Sequence, residues 1–175
     1  MGAQPVLREE AMSQVFVREF QPQDREAFHR LNEAWISKYF RLEPKDLETI
    51  TDAQHQIIDK GGQVFIAILD GEAVGCVGLI KMDDRCYELV KMATDPRFQR
   101  RGIGRALMDA AIVWARKQKA RRLYLETNHT LTPAITLYET SGFTHVPAER
   151  RRPSPYVRSD VQMEMWLEPE WVKYV

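Results

Sequence analysis

The spacing of apolar positions changes repeatedly along this chain, and each change marks an element. Residues 15–20, VFVREF, read as a first strand. Phe28, Leu31, Trp35 and Tyr39 then recur at intervals of three and four, one stripe of a helix covering roughly residues 23–38, with Pro22 in its first turn. Glu43 and Pro44 open a second helix whose inner face is Leu47, Ile50, Gln54, Ile57 and Ile58, and Gly61 and Gly62 end it as a C-cap. From Gln63 the period is that of strands. Residues 64–69 and 73–80 flank Asp70 and Gly71, which tolerate the positive φ angles of a tight hairpin turn. Asp83 and Asp84 turn the chain into a third strand, 87–94, antiparallel to the second.

After a turn at Asp95 and Pro96, a long amphipathic segment runs over residues 105–117. Ile103, Leu107, Ala110, Ala111 and Trp114 share its inner face, which packs on the sheet. Residues 123–127 are a further strand, and Leu131, Ala134, Ile135 and Tyr138 mark a short helix stopped at Gly142. Strands 143–146 and 161–167 complete the sheet around a Pro- and Arg-rich loop, 147–156. The order predicts an α+β fold: a mixed, largely antiparallel sheet of six to seven strands with about four helices. Residues 1–14 are expected as a leader without clear period, 15–168 as a single domain, and 169–175 as a partly docked tail carrying Trp171.

Composition narrows the function classes. At 175 residues the chain supports one domain with a substantial core, and its 25 Lys and Arg balance 25 Asp and Glu. No global field favours nucleic acid or an acidic membrane. The longest purely apolar run, residues 64–69, is far too short to span a bilayer, and Val6 stands where a myristoylation signal wants Ser or Thr. A cytoplasmic protein is the expectation. Cys76 and Cys86 fall inside predicted strands, without metal-ligand spacing, and read as buried thiols; no metal is expected.

The local chemistry concentrates between the third strand and the long helix. Gly102 and Gly104 stand at a helix start, where backbone N–H groups lack partners and the dipole is positive, so the turn suits phosphate oxygens. Two glycines alone equally describe a helix-capping turn. The context is more specific. Gln99, Gly102 and Gly104 fit the Q/R-x-x-G-x-G/A pattern, and residues 134–143, AITLYETSGF, match an A-I-x-L-Y-E-x-x-G-F segment about thirty residues on. In these two motifs, and in the order of elements from about 15 to 167, the chain resembles the GCN5-related N-acetyltransferase family. Dinucleotide binding is excluded: the third glycine of GxGxxG is missing, and antiparallel strands precede the turn where a βαβ unit is needed.

The resemblance implies transfer of acetyl from acetyl-CoA to a primary amine of a small molecule or peptide, by direct attack in a ternary complex. It implies central strands that splay apart to admit the cosubstrate. Backbone groups of Met92, Ala93 and Thr94 would then pair with the pantetheine arm, and Gln99, Arg100, Arg101, Gly102, Ile103, Gly104 and Arg105 would cradle the pyrophosphate, with Arg97 nearby. By spacing alone Tyr138 reads as a core aromatic; it matches the family tyrosine taken to protonate the CoA sulfur, and the resemblance implies that role instead. Glu88 lies eleven residues before Gln99, the offset of a catalytic glutamate in the histone acetyltransferase branch. The strand period puts it on one face with Val90 and Met92, where a carboxylate becomes a better base; otherwise it is a strand-end residue or a partner of Arg85 or Lys91.

Relatives often carry an Asn at the position held here by Leu131; Asn128 could replace it against the cosubstrate, or could shape the turn and cap the next helix with Thr130. His129 is a proton shuttle or an exposed loop residue. Trp35 and Tyr39, beside Glu33, Glu43 and Asp46, form a candidate amine-accepting wall or part of the core stripe. The Arg150 to Arg152 run, without interleaved aromatics, does not argue for nucleic acid. Rival readings are a different acyl-CoA, or a CoA-binding sensor without catalysis, and a homodimer stays open.

Overall fold

The computed structural model describes residues 14–167, so the expected leader up to residue 13 and the tail lie outside the described residues. Seven strands form one sheet: β1 (Phe16–Glu19), β2 (Gln63–Leu69), β3 (Glu72–Asp83), β4 (Cys86–Thr94), β5 (Arg122–Thr127), β6 (Thr144–His145) and β7 (Val161–Trp166). Their spatial order is β1-β2-β3-β4-β5-β7-β6. Four α-helices flank it: α1 (Arg25–Tyr39), α2 (Pro44–Thr51), α3 (Ile103–Lys117) and α4 (Thr132–Ser141). The α+β sheet expected from the sequence is the observed one, and Cys76 and Cys86 are both buried as free thiols.

The continuous apolar run of β2 is explained by burial on both faces. Val64, Ile66 and Ile68 pack with Phe28 and Leu31 of α1 and Ile50 of α2. Phe65, Ala67 and Leu69 face the opposite way, with Ile103, Leu107 and Ala111 of α3. Each such buried aliphatic side chain contributes about 1.5–3 kcal/mol. Asp70 and Gly71 have φ of 50° and 78°, as the hairpin turn requires. At Gly75 of β3, a Cβ would stand 2.7 Å from Ile103 Cγ2, so α3 seats closely on the sheet only because that position has no side chain.

The second helix is shorter than its periodicity predicts. It ends at Asp52 (φ −138°, ψ 63°), and a separate wide turn, Gln54–Ile58, follows. Asp52 Oδ1 accepts the His55 N–H at 3.3 Å, an aspartate starting a new turn rather than continuing a helix. Leu47, expected on the inner face, is 44% exposed, whereas Ile50 and Ile57 are fully buried.

Two features of β4 open the middle of the sheet. β4 and β5 run parallel and pair only from Cys86↔Arg122 to Glu88↔Tyr124, after which they part. Against β3, the register steps from Gly78↔Val90 to Cys76↔Ala93, so β4 carries one residue more than its partner. Lys91 sits at this bulge with φ of 53°. A regular period would put Met92 on the face of Glu88 and Val90. The bulge corrects that expectation: Val90 packs toward α1 and α2, and Met92 toward α3.

Candidate active site

Where β4 and β5 separate, two cavities meet. The larger, about 510 Å³, runs from the end of β4 along the glycine turn to α4. Met92, Ala93, Thr94, Gln99, Arg100, Gly102, Ile103 and Gly104 line it, as do Tyr39 and Tyr138. Past Glu88 no strand of the described residues lies beside β4 on this edge. Gly102 adopts φ of 73°, and a Cβ there would meet nothing within 4 Å, so the backbone conformation alone asks for glycine. Arg100, at φ of 63°, shares that left-handed geometry. The first backbone bond into α3 is Ala106 N–H to Gly102 O at 3.0 Å; the N–H groups from Arg100 to Arg105 donate to no backbone acceptor among the described residues. The result is a run of unpaired donors at a helix start, suited to an anion.

The arginine side chains around it are mostly engaged elsewhere. Arg97 binds Asp95 at 2.8 Å and also Glu72. Arg105 Nη1 donates to Ser141 Oγ at 2.8 Å and its Nη2 to Thr140 Oγ1, which ties α3 to α4. The Arg101 guanidinium lies 5.7 Å from the Phe98 ring. The anion cradle is therefore chiefly backbone.

The smaller cavity, about 100 Å³, lies between α1, β4, β5 and the loop before β7. Trp35, Met92, Leu131 and Tyr138 line both cavities and form the junction between them. Tyr138 is 8% exposed, with Phe143 at a ring-centroid distance of 6.1 Å. Burial pushes its hydroxyl up to about 12, so the phenol keeps its proton at neutral pH. Glu88 lines the small cavity; burial, then the charge of Glu126, pushes its carboxyl up to about 7. It forms no ion pair with Arg85 or Lys91. Lys91 instead reaches Asp46 at 2.6 Å.

Asp46 anchors a network that sequence reasoning did not assemble. Its side chain is fully buried and takes two hydrogen bonds from Arg158, both at 2.7 Å, besides the one from Lys91. Burial raises its pKa, but the hydrogen bonds from Arg158 and Lys91 outweigh that and hold it at about 2. Arg158 also binds Glu43 at 3.0 Å. Both cations also lie near the Tyr156 ring, its centre 4.6 Å from the Arg158 guanidinium and 5.0 Å from Lys91 Nζ. Asp46 and Glu43 are therefore occupied, which corrects their expected part in an amine-accepting wall. Glu33 stands apart, paired with His29 at 3.4 Å.

The remaining candidates also have definite places. Asn128 lines the small cavity, not the large groove; its Oδ1 accepts Thr130 N–H at 2.9 Å and its Nδ2 donates to Arg158 O at 2.7 Å. It shapes the turn, and the N-cap position of α4 is Leu131, which makes no side-chain cap. His129 pairs with Asp160. Trp35 stands at the junction, while Tyr39 is 44% exposed and not a core residue. Arg150 binds Glu164, at 3.1 Å through Nη1. Glu126 was missed altogether, although it falls two residues after Tyr124, the partner of Glu88, and so on the same face. Lys91, a lone cation inside an apolar strand, was the other available signal.

Among the described residues, no group of three or more His, Cys, Asp and Glu could hold a metal ion, and no helix is long and apolar enough to cross a membrane. The model of the Acetyltransferase (GNAT) family matches residues 17–143. N-acetylaspartate synthetase of Rattus norvegicus is 27% identical over 122 residues, 69% of this chain and 41% of that one, so the chain spans less than half of that relative's length. A GNAT acetyltransferase from Staphylococcus aureus Mu50 superposes with a TM-score of 0.80 at 21% identity, covering 89% of this chain and 100% of that one. A GNAT acetyltransferase from Elizabethkingia anophelis, solved with acetyl-CoA bound, gives 0.60 at 19% identity and coverage of 87% and 98%.

Proposed function

Because the chain belongs to the acetyltransferase (GNAT) family, we propose that it transfers acetyl from acetyl-CoA to an amine, directly, with donor and acceptor bound together. The observation that carries this reading is the shared wall: Tyr138, Trp35, Met92 and Leu131 line both cavities, so a donor in the large groove and an acceptor in the small one would meet there. The free N–H groups from Arg100 to Arg105 fit a pyrophosphate, and the open edge of β4 around Met92, Ala93 and Thr94 fits a pantetheine arm added as a strand. The Elizabethkingia relative, with its acetyl-CoA, supports the same donor.

Acetyl-CoA supplies an activated thioester. The residues of this chain manage the protons. Glu88, lifted to about 7, takes a proton from the amine, and Tyr138, held protonated, gives one to the departing sulfur. One N–C bond forms and one C–S bond breaks. Cys76, pushed up to about 12 by burial, offers no thiolate for an acyl-enzyme.

The test has two parts. CoA should raise the melting temperature, and acetyl-CoA with an amine panel should yield acetylated product with free thiol. With an accepted amine, kcat/KM should rise with pH through about 7, as Glu88 ionises, and Glu88→Gln should remove that limb. CoA binding without acetylated product would leave a CoA-binding module instead.

A further inference from the structure

The charges around the small cavity do not balance. Its two cations, Lys91 and Arg158, both bind Asp46, whose side chain has no exposed surface, and Arg158 binds Glu43 as well. A substrate carboxylate could recruit either cation only by stripping Asp46 of a partner in the interior, an expensive exchange. The carboxylates of the cavity are in the opposite condition. Glu88 forms no ion pair among the described residues, and Glu126 is bound only by neutral hydroxyls, Tyr124 Oη at 2.9 Å and Ser154 Oγ at 2.5 Å. Both face the same side of the sheet at the fork between β4 and β5. Ser159, whose buried Oγ has no hydrogen-bond partner among the described residues, lines the same cavity.

Resting on the acetyl-transfer reading above, we propose that the acceptor is a compact diamine without a carboxylate, one nitrogen presented to Glu88 and the other, as an ammonium, held by Glu126. A monoamine must be neutral when it attacks, which leaves Glu126 uncompensated in the reactive complex. A second ammonium neutralises it. Ser159 Oγ can then accept or donate one further hydrogen bond. The volume, about 100 Å³, sets a short spacer between the nitrogens. The transfer is the one already described: the N–C bond forms at the neutral nitrogen, the C–S bond breaks, the amine proton goes to Glu88 and the sulfur takes one from Tyr138. The second nitrogen does not react.

The full chain is assayed for CoA release and acetylated product with cadaverine, lysine, pentylamine and a peptide beginning with alanine. Cadaverine should exceed lysine, which adds a carboxylate, and pentylamine, which lacks the second cation, by about tenfold or more in kcat/KM. In Glu126→Gln the cadaverine-to-pentylamine ratio should fall toward one, mainly through the KM of cadaverine; a merely structural role would lower both amines together. Equal or better turnover of lysine, pentylamine or the peptide overturns the proposal. So does the absence of turnover with every amine while CoA still stabilises the protein. If CoA does not stabilise it, the donor reading itself has failed.

Discussion

The groove assigned to the donor and the cavity assigned to the acceptor meet at Tyr138, but they are made of different materials. The groove is backbone: unpaired N–H groups at the start of α3, a left-handed glycine, and an unpaired strand edge. The cavity is side chains brought from α1, β4, β5 and the loop before β7. A backbone site tolerates change in the residues around it, since any residue except proline supplies an N–H. A side-chain site is only as stable as the network that holds it, and here that network converges on one buried carboxylate, Asp46.

The strongest way to break the comparison is Asp46→Asn. Removing the charge leaves Lys91 and Arg158 buried without their common partner, and unfolding in urea should show a loss of about 3–5 kcal/mol. The acceptor KM should rise while CoA affinity changes little. The deficit should depend on pH. Asp46 is lowered from 3.8 to about 2, so its contribution is present above 3.8 and disappears as pH falls toward 2. Variant and parent should converge over that interval.

Next in size is Tyr138→Phe, at the junction itself. Turnover should fall about 10²-fold, with the CoA-induced rise in melting temperature retained. A loss of CoA binding would show that the hydroxyl serves to hold the cosubstrate and not only to supply a proton. The smallest effect belongs to Gly102→Ala on the backbone side. No atom obstructs the added methyl, so only the positive φ opposes it, a cost of about 1–2 kcal/mol. CoA affinity should drop several-fold, and the KM of the acceptor should stay as it was. An equal loss on both sides would erase the distinction between groove and cavity.

The same division explains what could be read from the chain. Gln99, Gly102 and Gly104 are local in sequence because a phosphate turn is local in space, and the helix that follows displays its own period. Tyr138 and Glu88 were legible only with the motifs around them. The pairing of Asp46 with Arg158 spans 112 positions, and no local pattern encodes it. Glu43 and Asp46 looked available to an amine because the cations that occupy them, Arg158 and Lys91, are remote in sequence. The face of Met92 was misjudged for a related reason: alternation holds only while two strands keep equal count, and the extra residue in β4 is set by its neighbour β3.

That extra residue gives the strand an unusual arithmetic. If Lys91 is skipped, Glu88, Val90 and Ala93 fall on one face and Leu89 and Met92 on the other in unbroken alternation. The sheet can be assembled without it. Lys91 behaves as an insertion into a strand that was already complete, placed where β5 has just departed and pointed at the one carboxylate that holds the cavity wall. The pleat of the strand and the support of the cavity wall thus fall to different residues, and a deletion at position 91 would separate them: the same sheet, with Asp46 short of one partner.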